Sequence, residues 1–297
     1  MFPIRNYHRA SSIGDAVRAL AGDPRARVLA GGTDVLVRLR HGNHEYGNLV
    51  DINGIEELRQ IRMEPDGTIL IGALATCTEI IEHPLTAANL PMLAQSLATI
   101  GGPQIRNVAT MGGNICNGAV SADSACAALV YEFDLIIRGP EGERTESIHG
   151  FHLGPGRTIL GRSDILTAFC IRPENYRGLG AWYTKYAMRG AMDIATIGCG
   201  AGIRLEDRRI SELKLAFTVA APTPIRCPRA EEAVRELELN DDTLAVLAEA
   251  VEQDVRPRTS WRAEKEFRLH IIRTLARRVT LAAAERLGAE TVMGYER

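Results

Sequence analysis

The segment Arg27-Val-Leu-Ala-Gly-Gly-Thr-Asp34 runs from apolar residues through two glycines into a helix-forming stretch. A strand that ends in Gly31-Gly32 and opens a helix at Asp34 points unpaired backbone N–H groups at one spot. Glycine lets an anion approach that backbone, and the positive end of a helix dipole adds to the attraction. The chemistry on offer is a phosphate seat. An ordinary Gly-Gly turn with Asp34 as helix cap would be written in the same letters. No lysine follows the glycines and the spacing is not Gly-x-Gly-x-x-Gly, so ATPase and nicotinamide-type Rossmann chemistry lose ground.

The second informative stretch is Thr99-Ile-Gly-Gly-Pro-Gln-Ile-Arg-Asn-Val-Ala-Thr-Met-Gly-Gly-Asn-Ile-Cys-Asn-Gly118. Two Gly-Gly pairs among small and amide-bearing residues predict a long irregular loop, and such loops inside compact domains are usually functional. Its surface suits a flat polar ring. A flavin needs backbone donors at close range, which Gly112-Gly113 would permit. A flexible surface loop is the alternative reading, but Ile100, Ile105, Val108, Met111 and Ile115 are interleaved through the stretch and argue that it is packed down.

These segments need elements to hold them. Ser11 or Ser12 caps a helix with Ile13, Val17 and Leu20 at helical spacing, ended by Gly22 and Pro24. A strand over 27–30, a helix over 34–40 and a strand over 49–52 make a small βαβ unit, the usual origin of a parallel sheet. Beyond Asn53-Gly54 the pattern changes to mixed α+β. Asp66-Gly67 signals a hairpin between 58–63 and 68–74, and Thr76 with Glu79 has the spacing of a capping box. A helix over 90–98, a helix from Ser121 or Asp123 to about 131, and strands over 135–138 and 164–171 complete this second lobe. A polar stretch over 173–180 marks a boundary. Strands over 181–188, 194–205 and 212–220, then helices over 228–237, 243–254 and 262–287, predict an antiparallel sheet with helices on one face.

The chain of 297 residues, 45% hydrophobic and 24% charged, has ample material for real cores, which rules out disorder as its main state. A net charge of −2 argues against nucleic acid or an anionic membrane as a whole-chain partner. No apolar run reaches the ~18 residues that cross a bilayer, and the first residues show no signal-peptide stretch. The six cysteines lack Cys-x-x-Cys spacing and the seven histidines show no metal spacing beyond the loop pair His41 and His44, so no metal site is expected. A reduced, cytoplasmic protein is the expectation. The C-terminal helix carries Arg262, Lys265, Arg268, Arg273, Arg277, Arg278 and Arg286. A solvated face with its apolar side on the sheet is its default reading; a docking face for partner subunits or a nucleic-acid stripe, the latter disfavoured by the net charge, are the alternatives.

Taken together, Leu29-Ala-Gly-Gly-Thr-Asp34, Gln104 to Gly118 and Ser121-Ala-Asp-Ser124 resemble the FAD-binding medium subunits of the molybdenum hydroxylases, most closely those of the xanthine dehydrogenase type. The likeness extends over essentially the whole chain, including Lys185-Tyr-Ala-Met-Arg189 and Ser260 to Arg268. It implies an α+β protein: a two-lobed FAD-binding domain of the vanillyl-alcohol-oxidase type over 1–176 (lobes of about 1–54 and 55–176), and a C-terminal α+β domain over 177–297. It places the FAD pyrophosphate on Arg27, Val28, Leu29, Ala30, Gly31, Gly32, Thr33 and Asp34. Ile100, Ala109, Thr110, Met111, Gly112, Gly113 and Asn114 would line the other side of the cofactor, with Asp123, backbone near Ile165 and the side chain of Lys185 completing the site. The flavin carries the chemistry, held without a covalent link, and no catalytic side chain is expected.

A Lys185 cation near the N1/O2 edge of the ring would stabilise the reduced flavin, and a surface lysine on an edge strand is the bland alternative. The cysteine-rich insertion that holds a cluster in some relatives is missing between Gly118 and Tyr131. The implied partners are a large subunit with the molybdenum cofactor and a small iron–sulfur subunit, with NAD as electron acceptor and a purine as substrate of the complex. A quinone-reducing subunit of the carbon monoxide or nicotine dehydrogenase type, or a scaffold with a degenerate nucleotide site, are the other readings.

Overall fold

The computed structural model describes residues 3–288. The extreme ends of the two expected domains, 1–2 and 289–297, lie outside the described residues.

In the first lobe β1 (Asn6–Arg9), β2 (Ala26–Leu29) and β3 (Asn48–Asp51) form a parallel sheet in the order β1-β3-β2. Helix α1 (Ile13–Gly22) links β1 to β2. Ser12 starts it, its hydroxyl accepting the Asp15 N–H at 3.1 Å, and Ala16, Val17 and Leu20 are its buried residues. Helix α2 (Val35–Arg40) then links β2 to β3, which gives the expected βαβ unit. Strand β1 was not expected. Three of its four side chains are exposed, so it carries no apolar alternation to read.

The second lobe is an antiparallel sheet in the order β4-β5-β10-β6-β7, from β4 (Ile61–Met63), β5 (Ile69–Gly72), β6 (Asp134–Gly139), β7 (Gly142–Ser147) and β10 (Ile165–Ile171). A two-stranded ribbon, β8 (His152–Gly154) with β9 (Arg157–Thr158), lies apart from it. The β4–β5 hairpin turns where expected, with Gly67 at φ +93°. Helices α3 (Cys77–Glu82), α4 (Pro84–Asn89), α5 (Pro91–Ala98), α6 (Pro103–Arg106), α7 (Met111–Cys116) and α8 (Asp123–Val130) pack with this sheet, and Thr76 and Glu79 form the capping box. The stretch 99–118 is therefore not a long irregular loop. Pro103 at the first turn of α6 and the Thr110 hydroxyl at the start of α7 each nucleate a short helix inside it. Leu58, Leu74 and Ile165 from this second lobe complete the core of the first, so the two lobes share a seam.

The C-terminal sheet holds β11 (Gly180–Tyr186), β12 (Ile197–Glu206), β13 (Arg209–Thr218) and β14 (Ile225–Arg226), antiparallel and in sequence order. The β12–β13 turn places Asp207 and Arg208 at φ +48° and +66°, as a two-residue hairpin requires. Period-two alternation in Ile197-Gly-Cys-Gly-Ala-Gly-Ile203 decides both faces. Ile197, Cys199, Ala201 and Ile203 enter one core with α9 (Pro228–Ala233), α10 (Asp241–Ala250) and α11 (Lys265–Glu285). The glycines face the other way and admit α5 and α8 of the second lobe: a Cβ on Gly200 would lie 3.1 Å from Cys126 Cβ, and one on Gly202 would lie 2.7 Å from Val130. Helix α11 buries Ile272, Leu275, Ala276 and Val279 toward the sheet, the default expected of it, but it buries Arg268 as well.

Candidate functional site

A cleft of about 460 Å³ opens along the seam between the two lobes, within the size range of small-ligand sites. Of the residues expected at a cofactor, Arg27, Val28, Ala30, Gly31, Gly32, Thr33, Asp34, Ile100, Ala109, Thr110, Gly112, Gly113, Asn114 and Ile165 line it. The two glycine segments, about 80 residues apart in sequence, thus face one space. Gly31 is the junction. A Cβ there would lie 1.8 Å from the Val108 carbonyl oxygen, so backbone meets backbone and only glycine fits.

The donors at the two walls differ. Among the described residues, the N–H groups of Gly31, Gly32, Thr33, Asp34 and Val35 donate to no protein acceptor. These consecutive free donors, set by a turn with Gly32 at φ +73°, are what a phosphate needs. The turn supplies them rather than a helix dipole, since α2 spans only six residues. Asp34 precedes α2 but makes no capping bond; its carboxylate accepts the Asn117 amide at 3.1 Å. At α7 the N–H groups are spent. Met111 donates to Ala75 O, Gly112 to Ala73 O and Gly113 to the Thr110 hydroxyl. The expectation that Gly112-Gly113 offers free backbone donors is corrected accordingly: these glycines permit close approach, and Gly113 has only Thr110 Oγ1 near its missing Cβ.

Four of the expected residues do not line the cleft. Leu29 packs beneath Gly32 with Leu36, and Met111 is fully buried in the second-lobe core. Asp123 and Lys185 form a buried ion pair at 2.9 Å behind the wall. The Asp123 carboxylate also accepts the Tyr183 hydroxyl at 2.6 Å, and Lys185 Nζ donates to the Thr99 carbonyl at 3.0 Å, next to the cleft residue Ile100. Burial pushes the Asp123 carboxyl up, an effect that Lys185 opposes. Lys185 is on edge strand β11 but is not a surface lysine. Nor is Asp123 a helix cap: Ala122 holds that position in α8.

Arg38, Tyr46 and Asn117 also line the cleft, and sequence reasoning missed all three. Arg38 donates to the Tyr46 hydroxyl at 2.7 Å and to Asn117 Oδ1 at 2.9 Å, completing a chain from Asp34 that ties the first lobe to α7. Arg27 and Arg38 flank the Tyr46 ring at 6.0 and 5.4 Å, and neither has a carboxylate partner among the described residues. Two uncompensated guanidiniums beside a row of free N–H donors fit the double negative charge of a diphosphate. Arg38 is one helical turn from Asp34, a spacing that could have marked it. Arg38→Met is expected to loosen FAD about tenfold, the worth of one charge-assisted hydrogen bond. Fluorescence titration of the flavin-free chain reads this directly, and an unchanged affinity would count against the role. Cys116 lines the cleft too, with its thiol pushed up to about 12 by burial, so it supplies no nucleophile.

Residues 2–173 match the model of the FAD-binding domain in molybdopterin dehydrogenase, and residues 182–283 match the CO dehydrogenase flavoprotein C-terminal domain. The chain belongs to this family of molybdenum hydroxylase flavoproteins: it is an FAD-binding oxidoreductase subunit. It is 50% identical to a xanthine dehydrogenase FAD-binding subunit of Escherichia coli, covering 98% of this chain and 99% of the relative. It is 32% identical to the carbon monoxide dehydrogenase medium chain of Hydrogenophaga pseudoflava, covering 95% and 98%. Among solved structures, carbon monoxide dehydrogenase from the same organism superposes with a TM-score of 0.91 at 30% identity, over 96% of this chain and 99% of that one.

Proposed function

We propose that this chain passes electrons from an iron–sulfur small subunit to NAD, in a cytoplasmic heterotrimer whose large subunit carries the molybdenum cofactor and oxidises a purine. Whole-length identity of 50% to a xanthine dehydrogenase subunit, against 32% to a carbon monoxide dehydrogenase subunit, supports a purine as the substrate of the complex. The six cysteines are all free, in keeping with a reducing compartment. The expected boundary near 176/177 would put the residues for the diphosphate on the two N-terminal lobes and Lys185 on the C-terminal domain. The observation that carries the reading is the row of free N–H donors at Gly31 to Val35, facing a cleft whose far wall is the second glycine segment.

When bound, the flavin supplies hydride exchange with NAD and single-electron exchange with iron–sulfur clusters. The protein's part is binding and electrostatics. The turn at Gly31 to Asp34, with Arg27 and Arg38, holds the diphosphate. Ile100, Ile105, Ala109 and Leu166 exclude water from the space between. Lys185 is held beside Thr99 by Asp123, so its charge would bear on a flavin ring bound in the cleft near Ile100. Lys185→Met is expected to lower the flavin midpoint potential in a redox titration. The paired change Lys185→Met with Asp123→Asn removes the ion pair without leaving a buried carboxylate, and should lower it less. Equal midpoints in wild type and both variants would contradict the role. Assaying the complex with NAD and with a soluble quinone decides the acceptor: reduction of NAD at the faster rate is expected, and quinone reduction alone would overturn this reading.

A further inference from the structure

The free N–H donors at Gly31 to Val35 begin two residues after β2 ends, outside the sheet that would otherwise fix their directions. The first of them has a support of its own. The Ala30 carbonyl and the Gly31 N–H belong to one planar trans peptide, so they point in opposite directions. That carbonyl accepts the Asn53 side-chain amide at 2.8 Å, and no other donor among the described residues meets it. With the oxygen held on the Asn53 side, the Gly31 N–H is turned to the opposite side, where no protein acceptor takes it. Asn53 itself does not line the cleft, although its neighbour Ile52 does.

The amide is in turn held by its surroundings. Nδ2 has two hydrogens, one spent on the Ala30 carbonyl and the other on Asp51 Oδ1, also at 2.8 Å. Both partners only accept, so the amide cannot turn over without setting oxygen against oxygen. Asp51 Oδ1 also accepts the Asn53 backbone N–H at 2.8 Å, and Oδ2 accepts the Tyr7 hydroxyl at 2.5 Å. All three parallel strands contribute. Tyr7 comes from β1, Asp51 is the last residue of β3, and in register it stands opposite Leu29, the last residue of β2. Asp51 is buried, and its three bonds come from neutral groups. A carboxylate this near an anion seat opposes binding by its charge, so its part there is geometric.

We propose that Asn53 is a positioning residue for the diphosphate seat: it sets the Ala30–Gly31 peptide so that the Gly31 N–H faces the ligand, with Asp51 and Tyr7 fixing the amide. The assignment rests on the diphosphate reading of the Gly31 turn given under Proposed function. A donor aimed before the ligand arrives costs no ordering when it binds, and that saving appears as affinity. The otherwise exposed strand β1 thereby acquires a role, since it carries the hydroxyl that closes the network.

The test titrates the flavin-free chain with three ligands: FAD; ADP, which has the diphosphate without the ring; and riboflavin, which has the ring without the diphosphate. Asn53→Ala is expected to weaken FAD and ADP alike, each about tenfold, and to leave riboflavin within about twofold of wild type. Tyr7→Phe acts on the same amide from a side chain that is 51% exposed, without cutting into the turn. It should weaken FAD and ADP about threefold, spare riboflavin, and add nothing to the loss in Asn53→Ala. Affinity for FAD within about twofold of wild type in both variants would overturn the role. So would a loss that ADP does not share, an equal loss of riboflavin, or additive effects of the two changes. Wild-type chain that binds FAD no tighter than riboflavin would instead overturn the diphosphate seat, and the role of Asn53 with it.

Discussion

Gly31→Val is expected to leave the purified chain without flavin. The added Cβ would lie 1.8 Å from the Val108 oxygen and 2.7 Å from its carbonyl carbon, both backbone atoms that cannot rotate aside. The turn and the 108–113 segment must part, and they are the two walls of the cleft. A loss of at least ~100-fold in FAD affinity is expected, as when several hydrogen bonds misalign together. Gly32→Ala should be milder. Its φ of +73° makes any side chain strained by about 1 kcal/mol, but the Cβ would meet the flexible end of Leu36. Gly113→Val puts a Cβ 2.9 Å from the Thr110 hydroxyl that caps α7, in the wall of the cleft, so it should lose FAD without forcing the two backbone walls apart. Flavin absorbance per chain, read beside thermal melts, separates the three. Full occupancy in Gly31→Val would disprove the junction.

The second large effect is a division of labour. The isolated FAD-loaded chain should oxidise NADH with an artificial dye, because that exchange needs only the flavin and an open face. It should hydroxylate no purine. Oxygen transfer calls for a metal centre, which the proposed assembly carries on its large subunit. Four of the six cysteines are fully buried, and burial raises the thiol pKa of each, Cys77 to about 12. Purine turnover should appear only when the large and small partner subunits are added. Turnover by this chain alone, in a preparation free of molybdenum and iron, would refute the assignment.

What the sequence made legible is local. The Ser12 cap, the Thr76–Glu79 box and the Asp66-Gly67 hairpin are each written in residues close in sequence. Both glycine segments were visible for the same reason. What stayed hidden depends on distance or on weak patterning. Arg38 meets Asn117 across 79 positions, and Tyr183 meets Asp123 across 60, so no spacing could announce them. Strand β7 alternates half-buried with exposed polar residues and lacks an apolar stripe. Glycines 112 and 113 read as loop because their low helix propensity is overridden by the Thr110 cap and by the Ala73 and Ala75 carbonyls. The surface alternative for Lys185 on its edge strand fails because its partner, Asp123, belongs to the other domain and could not be read from spacing.

The central claim is that electrons reach NAD only through the flavin held in this cleft. It is tested most directly by assembling the three-subunit complex with Gly31→Val in place of the wild-type chain. Purine oxidation is then followed with NAD, and separately with a dye that accepts electrons from iron–sulfur clusters. The account predicts that the flavin-free complex still reduces the dye and forms no NADH, while the wild-type complex does both. NADH formed by the flavin-free complex at the wild-type rate would contradict it.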